Sequence, residues 1–381
     1  MCAEDKVAPQ WSLDIFKKSR MIPPEKYLFI YDHLMAALIF FTILSYAQHS
    51  AKSINRMFGF LIPLFLIFYI GTRPIHPVFV DMTTYAQSFE VAAQRGVVYY
   101  TDWVFNILML GLSQITTVEV FFFVCAAIYI IPVIAGLKKR HGDSAFAALL
   151  ATITSFSFFA YGVNGIRNGM ATSIFFAAIA WSNRKFTYVI LAILAFGMHN
   201  SVAVPILFYT LTFFNSNIIL YACLWVSAFI FTVATSGSLA AYLGGLLSSA
   251  EDTRVGYLSQ QGEDKGGLRI DFVLYSILPV VVSYMWADAN KTKDPFYRRL
   301  ICTYLATNSF WLLVMYAAYS NRFAYLSWFM MPWLIIYPFI PNRNRDTGDT
   351  AQKIDVAKFS VMLVGQFALT YLFDIFIYPT R

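Results

Sequence analysis

Val118 to Leu137 reads VEVFFFVCAAIYIIPVIAGL, and Lys138-Lys139-Arg140 follows at once. A helix of about 20 apolar residues crosses the hydrocarbon core of a bilayer, and Glu119 is the only charge in this stretch. The basic cluster behind it marks a cytoplasmic end, because Lys and Arg collect in short loops on that side. The rest of the chain follows the same pattern. Of its 381 residues 59% are hydrophobic and 13% charged, against roughly 25% charged in soluble domains. Further apolar runs lie near 27–48, 57–72, 144–161, 166–182, 217–235, 271–288, 299–319, 322–340 and 356–378. Residues 102–116 are short and carry Asp102, Asn106 and Gln114, so a re-entrant or interfacial segment is expected there. Residues 186–214 are too long for one span, and Gly197, His199, Asn200 and Pro205 predict a break into two. The expected fold is an all-α, polytopic integral membrane protein with roughly 11–13 hydrophobic segments, some broken or re-entrant.

The expected organisation is a single membrane domain over 1–381, with a polar extension at 1–26 and the membrane part at 27–378. Met1 to Lys26 lacks a signal-peptide pattern, so the first membrane helix is expected to direct targeting. Residues 11–20 suit a short surface helix. Lys138 to Arg140, Arg184-Lys185, Lys291 to Arg299 and Arg343 to Arg345 read as cytoplasmic, which places loops near 73–100 and 236–270 outside. A mobile lid is one reading of 236–270 and a solvated loop the other. The net charge of +7 is spread over short clusters rather than one stripe, so no nucleic-acid partner is expected. Cys2, Cys125, Cys223 and Cys302 form no CxxC pair, and neither a disulfide, a metal site nor a cofactor is expected.

Ionisable groups at membrane depth face a cavity or a partner. Arg73 closes an apolar run, with Asp81 and Tyr85 after it at helical spacing. Arg167 lies in Gly165-Ile166-Arg167-Asn168-Gly169, His199 in Phe196-Gly197-Met198-His199-Asn200-Ser201, and Arg322 in Ser320-Asn321-Arg322-Phe323. Singly, each arginine reads most simply as an anchor at a helix end, the His as a helix-helix hydrogen bond and Asp81 as a helix cap. Under the charge-derived topology all five share one membrane face. Three guanidiniums there call for an anion, and a lipid-linked pyrophosphate presents one at that depth.

At these motifs, together with Asn321-Arg322-Phe323-Ala324-Tyr325, the sequence resembles the EpsG-like branch of the O-antigen polymerase (Wzy) group of bacterial polysaccharide polymerases. The order and spacing extend over about residues 27–340. Two departures stand out: Phe79-Val80 where the family often has Gly-Thr, and Thr101-Asp102 where it has Glu-Pro. The resemblance implies a metal-independent glycosyltransferase in the bacterial inner membrane with its active site facing the periplasm. There a glycan held on undecaprenyl pyrophosphate is transferred to the non-reducing end of an incoming lipid-linked repeat unit. Donor and acceptor are then both undecaprenyl-pyrophosphate-linked oligosaccharides among membrane lipid, and a chain-length regulator is an expected partner. Arg73, Arg167 and Arg322 would bind pyrophosphate. His199 is favoured as base, and Asp81 is the alternative or a contact to acceptor sugar or arginine. Tyr85, Tyr325, Asn168 and Ser201 would meet glycan. A flippase, an O-antigen ligase and a membrane acyltransferase are the competing readings. The first lacks a visible internal repeat, and the last lacks a charged neighbour of His199 in sequence.

Overall fold

The computed structural model describes residues 22–48, 51–96, 101–238, 267–286, 294–317, 320–342 and 353–377. The expected surface helix at 11–20, the basic residues Arg343 to Arg345 and nearly all of the 236–270 loop lie outside these. In chain order the helices are α1 (Tyr27–Ala47), α2 (Ala51–Gly71), α3 (Met82–Arg95), α4 (Trp103–Ser113), α5 (Val118–His141), α6 (Ala145–Ile153), α7 (Phe156–Val163) and α8 (Ile166–Ala180). They continue as α9 (Lys185–Met198), α10 (Ala203–Leu211), α11 (Ile218–Thr235), α12 (Ile270–Trp286), α13 (Pro295–Leu313), α14 (Asn321–Trp328), α15 (Met331–Ile336) and α16 (Val356–Leu372). Among the described residues there is no strand, and the protein is an all-α, multi-pass membrane protein. Pro24–Ala47, Ala51–Gly71, Val118–Ile153, Ile218–Thr235 and Val356–Ile375 are long and apolar enough to cross a bilayer.

Three of the expected segments differ in detail. The run at 144–161 is two helices, broken where the Thr154 hydroxyl donates to the Leu150 carbonyl and the Ser155 hydroxyl to that of Thr152. These side chains satisfy backbone acceptors where the ladder stops. The run at 322–340 also breaks, at Phe329-Met330 ahead of Pro332; proline cannot donate into a continuing helix. The third difference is inside the 73–100 stretch expected as an outer loop, which contains the amphipathic helix α3. Two expectations are met. The 186–214 run splits at His199, where a short 3-10 turn, Asn200–Val202, separates α9 from α10. α4 has 11 residues, about 16 Å at the rise of an α-helix, too short to cross.

The chain divides into two compact units, Met1–Val202 with Phe339–Arg381, and Ala203–Pro338. In the first, α5 packs against α2 and α8, α8 against α9, and α1 against α16. α8 is buried almost all round, from Gly169 to Ala180, which is why its sequence is apolar on every side. α1, by contrast, exposes Phe40 and Phe41, as a lipid-facing helix does. In the second unit α13 packs against α10 and α11. Its core carries a closed polar network: Trp225 Nε1 donates to Asn308 Oδ1 at 2.7 Å, Asn308 Nδ2 to Ser327 Oγ at 2.9 Å, and Trp328 Nε1 to Ser276 Oγ at 2.8 Å. Away from water, such bonds fix helix against helix.

Candidate active site

Asp102 stands in the turn ahead of α4 with φ of 53°, a left-handed conformation that Asp adopts more readily than most residues. The carboxylate is fully buried. Its Oδ2 accepts from Arg167 Nη1 at 2.8 Å and from His199 Nδ1 at 3.0 Å, and its Oδ1 accepts the backbone N–H of Asn200 at 2.9 Å. Three elements thus converge on one acid: the turn before α4, the first turn of α8 and the end of α9.

Local sequence explains the convergence. Gly197 lets α9 approach α4, since a Cβ there would run into Trp103 and Val104. Gly169 does the same for α8 against α7, where a Cβ would strike the carbonyl oxygen of Tyr161. Gly169 and Gly197, one in each sequence motif, are therefore needed for close helix approach. Beyond Gly197 the chain leaves the helix at His199, whose backbone is extended, and this turns the imidazole and the Asn200 N–H toward Asp102.

Burial by itself would raise the Asp102 carboxyl. The hydrogen bond and charge of His199, the Asn200 N–H and the charge of Arg167 outweigh that and hold it below the ordinary carboxylate value. An ionised carboxylate only accepts hydrogen bonds, so Nδ1 of His199 is the donor. Nε2 is then the nitrogen of the neutral ring that can take a proton.

Arg167 is held on two sides. Besides the bond to Asp102, its Nε donates to the Tyr85 hydroxyl at 3.1 Å, and its guanidinium lies over the rings of Tyr85 and Phe105, 5.4 and 5.7 Å from their centroids. Its side chain is nevertheless 36% exposed, and Nη2 makes no hydrogen bond among the described residues. A guanidinium braced through Nε and Nη1 offers Nη2 in a fixed direction, at the N-terminal end of a 15-residue helix whose dipole also favours an anion.

Asp81 sits at the N-cap of α3 without a side-chain capping bond and lies close enough to Arg167 to add electrostatic attraction. The Ser201 hydroxyl donates to Asn168 Oδ1 at 3.0 Å. The structure therefore brings Asp81, Tyr85, Arg167, Asn168, His199 and Ser201 into one neighbourhood. Asp102, which sequence reasoning treated only as a polar interruption and a departure from a family pattern, is its centre. The fold also corrects one step of that reasoning: His199 has no acidic neighbour in sequence, but it has one in space.

Arg73 is placed differently. It is 4% exposed, donates from Nη1 to the Ile70 carbonyl and from Nη2 to the Val163 carbonyl at 3.0 Å, and lies between the rings of Phe79 and Phe122. Burial lowers its pKa to about 10, which leaves it charged at neutral pH. No hydrogen bond links it to the Asp102 group among the described residues. Arg322 and Tyr325 belong to the second unit, on α14. There the Arg322 side chain is exposed and its backbone N–H donates to Asn321 Oδ1, while Tyr325 is buried beside Trp328.

The model of the EpsG family matches this chain over residues 56–376. No curated protein and no solved structure matches it.

Proposed function

The chain belongs to the EpsG family, and from that premise we propose that it is a membrane glycosyltransferase that polymerises a surface polysaccharide on the periplasmic face of the bacterial inner membrane. The proposed donor is a growing glycan on undecaprenyl pyrophosphate, and the acceptor is the non-reducing end of an incoming lipid-linked repeat unit. One observation carries this reading: a single buried carboxylate, Asp102, holds a histidine and an arginine together, both on helix ends. Sugar transfer from a pyrophosphate needs a base for the attacking hydroxyl and a cation for the leaving group.

In the proposed reaction the acceptor hydroxyl oxygen forms a bond to the anomeric carbon of the donor sugar as the bond from that carbon to the phosphate oxygen breaks. Nε2 of His199 takes the hydroxyl proton. The imidazolium that results is stabilised by Asp102 through Nδ1, in the manner of a base oriented by a buried acid. The electron pair of the broken bond leaves on the pyrophosphate, where Nη2 of Arg167 is the proposed contact. Of the three arginines assigned to pyrophosphate, Arg73 is buried and gives both Nη groups to the Ile70 and Val163 carbonyls. We therefore assign it a positioning part, holding the end of α2 to the segment that leads into α8. Asp81 completes the electrostatic setting of Arg167, and Tyr85, Asn168 and Ser201 are the proposed glycan contacts; for Arg322 and Tyr325, on the second unit, the assignment rests on the Asn321-Arg322-Phe323-Ala324-Tyr325 motif alone. Undecaprenol as the carrier and a chain-length regulator as partner belong to the same proposal.

The test is deletion of the gene in its host, with surface polysaccharide resolved on a gel beside strains complemented with wild type or His199→Gln. A ladder that collapses to a single repeat unit and is restored by wild type alone supports polymerisation. An intact ladder, or lipid-linked units trapped on the inner leaflet, would instead favour transport.

A further inference from the structure

The opposite end of the same helices carries a second feature. α2 and α5 run antiparallel, since Gly71 at the end of one approaches Phe123 and Ala126 near the start of the other. At the far end, about 30 Å along a 21-residue helix, a cavity of about 330 Å³ opens between α2, α5 and α6. That volume is at the lower end of the range for small-ligand sites. Its mouth is cationic, with Lys52 and Arg56 one turn apart on α2 and Lys138 on α5; Asp143 is the one carboxylate in the lining. Asn55, nine-tenths buried, accepts the Tyr46 hydroxyl at Oδ1, which leaves its amide NH₂ as a donor end. The buried lining is apolar, built from Leu137, Phe146 and Leu149 beside Gly59, with the exposed ring of Phe60 at its edge.

Lys52, Arg56 and Lys138 make no ion pair among the described residues. A cationic mouth over an apolar floor at a helix end matches a phosphodiester with the start of its acyl chains, and basic pockets between membrane helices hold such headgroups. We propose that this cavity binds the headgroup of an anionic phospholipid, with Lys52, Arg56 and Lys138 around the phosphate and the acyl chain entering over Gly59. The basic clusters that the sequence assigns to the cytoplasmic side put this site on the inner leaflet. The site stands apart from the Asp102 group and does not depend on the reaction assigned to it.

The experiment uses the full-length protein, purified in detergent and equilibrated with mixed micelles holding equal amounts of phosphatidylglycerol and phosphatidylcholine, with retained lipid identified by native mass spectrometry. Phosphatidylglycerol should be retained in preference, and each of Lys52→Gln, Arg56→Gln and Lys138→Gln should weaken its retention about fivefold. Gly59→Leu keeps every charge but fills the floor, where a Cβ has only Phe146 within contact, and should abolish retention. Equal retention of the two lipids by wild type would overturn the proposal, as would unchanged retention in the triple Gln variant. Wild-type retention in Gly59→Leu would reduce the cavity to a surface charge patch and overturn it too. Displacement of the lipid by inorganic phosphate alone would identify a free-phosphate site instead.

Discussion

The two ends of the α2–α5 pair handle positive charge in opposite ways. At one end Arg73 gives its Nη groups to backbone carbonyls and Arg167 is braced by Asp102 and Tyr85. At the other, Lys52, Arg56 and Lys138 surround a cavity with no ion pair among the described residues. Charges tied down by the protein keep a fixed direction and can act on a reacting group without reorganising. Charges left around a cavity keep long, mobile side chains that order only when an anion arrives. On the two proposed readings, the difference separates a site built before its ligand arrives from one completed by it.

Removing the centre of the braced end is expected to have the largest effect. Asp102→Asn keeps the shape but loses the charge that orients His199 and anchors Arg167, and polymer formation should fall by about 10²–10⁴-fold, the usual worth of acid–base catalysis. Initial rates with purified protein and lipid-linked repeat units would measure this; a loss under threefold would detach Asp102 from the chemistry. The same variant has a pH signature. Because the folded carboxyl is held below its ordinary value, its contribution to stability is present above the unfolded pKa of about 3.9 and is lost as the pH falls through the lower folded value. The gap in thermal midpoint between wild type and Asp102→Asn should persist from about pH 5 to 8 and close below about pH 4. A gap that closed on the alkaline side would mean that the carboxyl is not held ionised by its neighbours.

Arg73 comes next, and here the expected change is in stability first. Arg73→Gln strands the Ile70 and Val163 carbonyls in a buried setting, a cost of about 2–4 kcal/mol if both go unsatisfied, and unfolding in mixed micelles would read it. If Arg73→Gln unfolds like wild type while polymerisation is lost, Arg73 touches the pyrophosphate directly and the positioning role is wrong.

Much of the membrane architecture was legible because apolar length is a property of sequence. The 118–137 run and the break around His199 needed only counting and the recognition of Gly197 and Pro205. The divisions at Thr154-Ser155 and Phe329-Met330 were hidden, because hydropathy sums side chains and says nothing of where a backbone ladder stops. The site was half legible. Arg167, His199, Asn168 and Ser201 stood out as polar residues in apolar surroundings, but Asp102 lies 65 residues from one partner and 97 from the other, and no local pattern joins them. One signal was present: an acid heading an apolar helix too short to cross must, if buried, be paired, and the cations able to pair with it were already few.

The smallest expected effect belongs to the open end, and it tests the contrast most directly. If Arg56 and Lys138 are held in reserve for a ligand, the fold does not lean on them. Arg56→Gln and Lys138→Gln should then each change unfolding free energy in lipid-free detergent by no more than about 0.5 kcal/mol, as surface substitutions do. The same variants should lose whatever stabilisation added phosphatidylglycerol gives to wild type, since a ligand that binds only the folded state raises its stability by mass action. A destabilisation of Arg56→Gln as large as that of Arg73→Gln, already present without lipid, would show that both ends spend their cations on structure.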